Sequence, residues 1–113
     1  MRELDFTKLK KEHFKVVLND ENNTVLLITM ANKAIINEFI GLNANLKNAN
    51  TEDDLGGDVI DQMYDIVAKL MSQNKQNIKI SKKLVENMFD LEDLILFITE
   101  YTNFLGDIAN SKN

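Results

Sequence analysis

Asp58, Asp61 and Asp65 recur at helical spacing, so their three carboxylates would share one face of a helix. Carboxylates grouped in this way could hold a divalent cation or share a proton. Their neighbours predict a solvated face, however, where cation affinity is weak. NDENN (19–23) offers five oxygen-bearing side chains in a row, but it lacks the glycine and the closing Glu of a calcium loop. It predicts a turn instead. GGD at 56–58 has neither the spacing nor the Lys of a phosphate-binding loop. His13 is the sole histidine and the chain has no cysteine, so metal sites and thiol or histidine nucleophiles have little material within one chain. We expect His13 at the surface, at the start of the first strand. The chemistry-bearing residues therefore predict a non-enzymatic protein with no catalytic residues, no cofactor and no metal.

These residues have to be positioned by one domain, because 113 residues fit a single core, and a hydrophobic share of 44% is enough to build one. Net charge is −5, which argues against nucleic acid as a partner, since phosphate binding needs a basic surface. The charge is uneven. Lys8, Lys10, Lys11 and Lys15 crowd the beginning, whereas Glu52, Asp53, Asp54, Asp58, Asp61 and Asp65 succeed one another with no Lys or Arg between them. Both runs read as solvated faces. The opening MRELDFTKLKKEHF lacks the apolar stretch of a secretory signal, and no apolar run approaches the roughly 20 residues of a membrane span. A cytoplasmic protein that does not engage a membrane is the expectation; amphipathic helices that lie on anionic lipid carry basic polar faces, and these are mainly acidic.

Proline is absent, leaving Asn, Asp, Ser, Thr and four glycines to punctuate the chain. FKVVL (14–18) and TVLLI (24–28) are β-branched and apolar, and with the NDENN turn they predict a hairpin. Thr29 or Asn32 then caps a helix whose Ile35, Ile36, Phe39, Ile40, Leu42 and Leu46 are expected to share one face, dissolving into loop over 43–50. TEDDLGGD (51–58) is the clearest break. From Asp58 to Ser72 a second helix puts Val59, Ile60, Met63, Tyr64, Ile66, Val67, Leu70 and Met71 on one side, with Asp58, Asp61, Asp65 and Lys69 opposite. SQNKQNIKI (72–80) reads as a connector with an extended piece at 78–80. Ser81 caps a short helix with Leu84, Val85, Met88 and Phe89 inward, and Asp90 with Asp93 forms a capping box for the last helix. The predicted fold is α+β, mainly α: residues 1–113 form a single domain, with an N-terminal arm and β-hairpin (1–30) followed by a small bundle of about four helices (31–110).

The last helix carries more apolar surface than one core contact requires. Leu91, Leu94, Ile95, Phe97, Ile98, Tyr101, Phe104, Leu105 and Ile108 cover about half its circumference, and Leu96 stands alone among the polar residues. Two readings stay open. Either this is the central helix of the bundle, or its aromatic edge and Leu96 remain partly exposed and dock on another chain. On the second reading Leu96, Phe97, Tyr101, Phe104 and Ile108 are the candidate partner-binding residues, and a Glu at Leu96 or Tyr101 would spare the fold, whereas one at Ile98 would destroy it. Self-association is an equal outlet for that surface.

The layout of hairpin FKVVLNDENNTVLLI, first helix, acidic linker, amphipathic DVIDQMYDIVAKLMSQN and capped pair SKKLVENMFDLEDLILFITEYTNFLGDI resembles the tail assembly chaperones of long-tailed bacteriophages and prophages. The resemblance spans most of the chain and rests on residue types, not on a fixed motif. It implies a small acidic protein that coats the tape measure protein, keeps it soluble, helps recruit tail tube subunits in the host cytoplasm, and is absent from the finished virion. It also implies, for many members, a longer form made by ribosomal frameshifting. The acidic helix face supports an alternative, another phage or mobile-element interaction protein such as a neck adaptor or an acidic inhibitor that imitates DNA.

Overall fold

The computed structural model describes residues 2–6, 11–47 and 56–110. Within them the chain runs β1 (Phe14–Val17), β2 (Val25–Ile28), α1 (Lys33–Lys47), α2 (Gly57–Ser72), α3 (Lys82–Met88) and α4 (Leu91–Asn110). A two-stranded antiparallel hairpin followed by four helices makes the fold α+β and mainly α, as the sequence predicts. Glu52, Asp53 and Asp54 of the acidic run, the lysines at 8 and 10, and the loop expected at 48–50 lie outside the described residues.

Alternation builds the hairpin. Phe14 and Val16 face inward opposite Ile28 and Leu26, while Lys15 and Val17 face outward opposite Leu27 and Val25. Asp20 holds the turn between them: its carboxylate accepts the Thr24 N–H at 2.8 Å and the Thr24 hydroxyl at 2.6 Å. These bonds hold the Asp20 carboxyl below its ordinary range, the hydroxyl contributing most. Asn23 takes the left-handed conformation the turn needs, at φ 48°.

Helix boundaries follow local chemistry. The Asn32 side chain accepts the Ile35 N–H at 3.0 Å, choosing Asn32 over Thr29 as the cap of α1. Ser81 accepts the Leu84 N–H at 3.1 Å, and Asp90 and Asp93 cap α4 reciprocally at 2.9 and 3.0 Å. The structure extends α1 through Lys47, further into the polar stretch than its composition suggests.

The hub of the molecule is α2, not α4. It packs against α1, α3, α4 and β2, and it buries Met63, Ile66, Val67, Ala68, Leu70 and Met71. Three expected inward residues turn out instead: Ile40 of α1, Leu84 of α3 and Ile95 of α4 are all exposed. Ile40 and Leu84 sit on flanks of apolar arcs that their helices do not bury, because α1 and α3 each press chiefly on one neighbour, α2.

Segment 73–80 contributes a different edge from the one expected. No strand forms at 78–80; pairing occurs earlier, where Asn74 bridges Ile28 antiparallel. Thr29 N–H donates to Gln73 O at 2.7 Å and Lys75 N–H to Leu27 O at 2.9 Å. The Gln76 amide then imitates a backbone unit, accepting the Leu27 N–H at 3.1 Å and donating to Val25 O at 2.8 Å. Asn74, the one buried polar residue of the described chain, is satisfied by the Met71 and Ile78 carbonyls at 2.8 and 2.7 Å and by the Ile78 N–H at 2.8 Å.

Candidate functional site

The aromatic edge of α4 belongs to the core. Tyr101 is fully buried, and Phe97 and Phe104 are buried beside it. Of the two readings left open by the sequence, these three rings follow the core one; β1 covers them, its Phe14 ring lying 5.7 Å from Phe97, 6.3 Å from Tyr101 and 5.7 Å from Phe104, centroid to centroid. Phe39 of α1 meets Tyr101 edge-on at 5.3 Å. The Tyr101 hydroxyl accepts the Ala31 N–H at 3.2 Å. Burial pushes its pKa up, and the Ala31 hydrogen bond opposes that in part. Ile108 is half-buried against the same core. Of the five candidate partner-binding residues, Leu96 alone is open to solvent, at 61% of its surface.

Leu96 nevertheless borders a site. An apolar groove of about 230 Å³ runs between β1 and the first half of α4. Phe14 and Val16 form its strand wall and Leu94, Leu96 and Phe97 its helix wall; Val67 and Met71 of α2 also line it. Lys15, Asp93 and Glu100 supply its charge. Exposed Ile95 continues the apolar surface beside Leu96. Sequence spacing alone could not locate this groove, because one of its walls comes from a strand some 80 residues away from the other.

The carboxylates singled out in the sequence go elsewhere. Asp61 binds Lys82 at 2.7 Å, and Asp65 binds Lys69 at 3.1 Å. Lys69 also reaches Glu38 at 2.9 Å, tying α2 to α1 across a polar cleft of about 450 Å³. Both lysines are raised above their ordinary range, Lys69 first by its bond to Glu38 and Lys82 first by its bond to Asp61. Among the described residues no cluster of three metal-ligating side chains occurs. His13 is half-buried immediately before β1.

Compared with protein-family models, curated proteins and solved structures, the chain matches none of them. Among the described residues no helix is long and apolar enough to cross a membrane.

Proposed function

We propose that this chain is a non-enzymatic protein-binding domain that acts as a tail assembly chaperone of a long-tailed phage or prophage. In that role it holds the tape measure protein in the host cytoplasm and helps bring tail tube subunits to it. The observation that carries the reading is the apolar groove beside Leu96: it is open, it lies between a strand and a helix, and it has an exposed aliphatic rim with carboxylates at its edge. A tape measure protein presents apolar helix faces until the tube encloses them, and a reversible apolar contact of this kind would mask one. Asp93 and Glu100 would select partners with basic flanks.

The DNA-imitating alternative has less to draw on, since Asp61 is paired with Lys82 and Asp65 shares Lys69 with Glu38, which leaves fewer free carboxylates on that face. Co-expression with the tape measure protein encoded near the same gene tests the proposal. The wild-type chain is expected to keep that protein in solution and co-purify with it, and Leu96→Glu to lose both effects while melting at the wild-type temperature. Recovery of the tape measure protein in equal amounts with and without this chain would overturn it.

A further inference from the structure

The hairpin has two edges, and they are unlike. The outer edge of β2 is covered, because the Val25 carbonyl, both backbone groups of Leu27 and the Thr29 N–H are taken by Gln73, Lys75 and the Gln76 side chain. The outer edge of β1 is open among the described residues, since β1 pairs with β2 alone. Register decides which groups lie there. Leu18 N–H donates to Thr24 O, so in this antiparallel ladder residues 14, 16 and 18 bond inward, and Lys15 and Val17 direct their N–H and C=O groups away from β2. Val17 is also 56% exposed, an apolar side chain facing outward.

We propose that this edge pairs with the same edge of a second copy, β1 against β1 antiparallel about a two-fold axis at Val16. The two unpaired residues are spaced i and i+2, and that spacing makes the edge self-complementary. With Val16 opposite Val16 of the other copy, Lys15 of each protomer faces Val17 of the other, and each such pair exchanges two N–H···O=C bonds. The side chains agree with this register. Lys15 lies opposite a valine and not opposite its symmetry mate, so like charges are kept from directly opposing, and its aliphatic stem covers the exposed Val17. A hairpin of two strands becomes a sheet of four, past the three strands a sheet needs for stability of its own. Pairing also lays the second strand along the Phe14 and Val16 wall of the groove, giving that wall a neighbour. This inference does not depend on the chaperone reading.

Sedimentation velocity and light scattering over a range of concentrations test it directly. Wild type is expected to be a dimer that dissociates on dilution. Val17→Pro removes an outward N–H that the hairpin does not use, and should give a monomer at every concentration with little change in melting temperature. In this cysteine-free chain, Val16→Cys should form a disulfide-linked dimer when reductant is withdrawn, because side chains at a non-hydrogen-bonded pair are close, whereas Leu84→Cys on α3 should not. Should Val17→Pro fail to fold, the two cysteine variants decide the matter. A wild type that is monomeric throughout overturns the proposal, as does a dimer whose Val16→Cys variant links no faster than Leu84→Cys.

Discussion

Tyr101 and Ala31 are joined by a buried hydrogen bond of 3.2 Å that spans 70 residues of sequence. It fixes the middle of α4 to the segment just before α1, at the point where the rings of Phe14 and Phe39 also meet Tyr101. Replacing Tyr101 by Phe keeps the ring contacts and strands the Ala31 N–H, at a cost of about 1–3 kcal/mol in denaturant unfolding. Tyr101→Glu is expected to prevent folding, in contrast to the expectation from helical spacing alone. The pH dependence has a definite sign. Because burial raises this phenol's pKa in the folded state, its contribution is complete below the usual tyrosine range and is lost as pH climbs through and above it. Tyr101→Phe should therefore flatten the alkaline decline of the melting temperature.

Leu96 and Ile98 lie two residues apart on α4 and face opposite environments, 61% and 5% exposed. Glu at Leu96 should change stability by no more than about 0.5 kcal/mol, whereas Glu at Ile98 should cost about 4 kcal/mol or more through an unpaired buried charge. Thermal melts of the two variants, compared under one set of conditions, check this. Equal losses would show that Leu96 is part of the core.

Asn74 and Gln76 both bond backbone groups, but Asn74 is buried and Gln76 is exposed. Asn74→Ala leaves the buried Met71 carbonyl and the part-buried Ile78 carbonyl and N–H without their partner and should cost about 1–3 kcal/mol; Gln76→Ala lets water replace the amide and should cost about 1 kcal/mol or less. Hydrogen exchange would separate them further. Gln76→Ala should raise exchange at the Leu27 amide while leaving Leu26 protected, since Leu26 bonds across to β1.

Asp20 makes the hairpin turn sensitive to acid. Its carboxyl is held below the ordinary range by the Thr24 hydroxyl and N–H, so this stabilisation is present above that range and fades as pH falls through the lowered value. Asp20→Asn should reduce the acid-side loss of hairpin structure, which the chemical shifts of Thr24 would follow between neutral and acidic pH.

Element order was legible because each boundary is a local event. Asp20 and Asn23 announce the turn, Asn32 and Ser81 the helix starts, and Asp90 with Asp93 the start of α4. What local pattern could not reveal was which flank of an apolar arc a distant segment would cover. Helical spacing leaves Phe97, Tyr101 and Phe104 open as a docking edge because the residue that covers them, Phe14, comes from the other end of the chain. Ile40 and Ile95 differ in the other direction: they are apolar residues at core spacing that lie exposed. Leu96 breaks the helical pattern by standing among polar residues, and it is exposed. The strand-like role of Gln76 left no trace in composition, since an amide side chain standing in for a peptide group looks like any polar loop residue.

The Gln76 amide at the far edge of β2 also sets a limit on assembly. A bare hairpin with two open sides could add copies indefinitely and grow into a fibre. With one side sealed by a side chain that offers no further ladder, strand addition can begin only at β1, and once a second copy is seated there neither outer margin accepts another. Together with the Gln73 and Lys75 backbone groups on the same edge, Gln76 would hold such edge-to-edge growth at two copies.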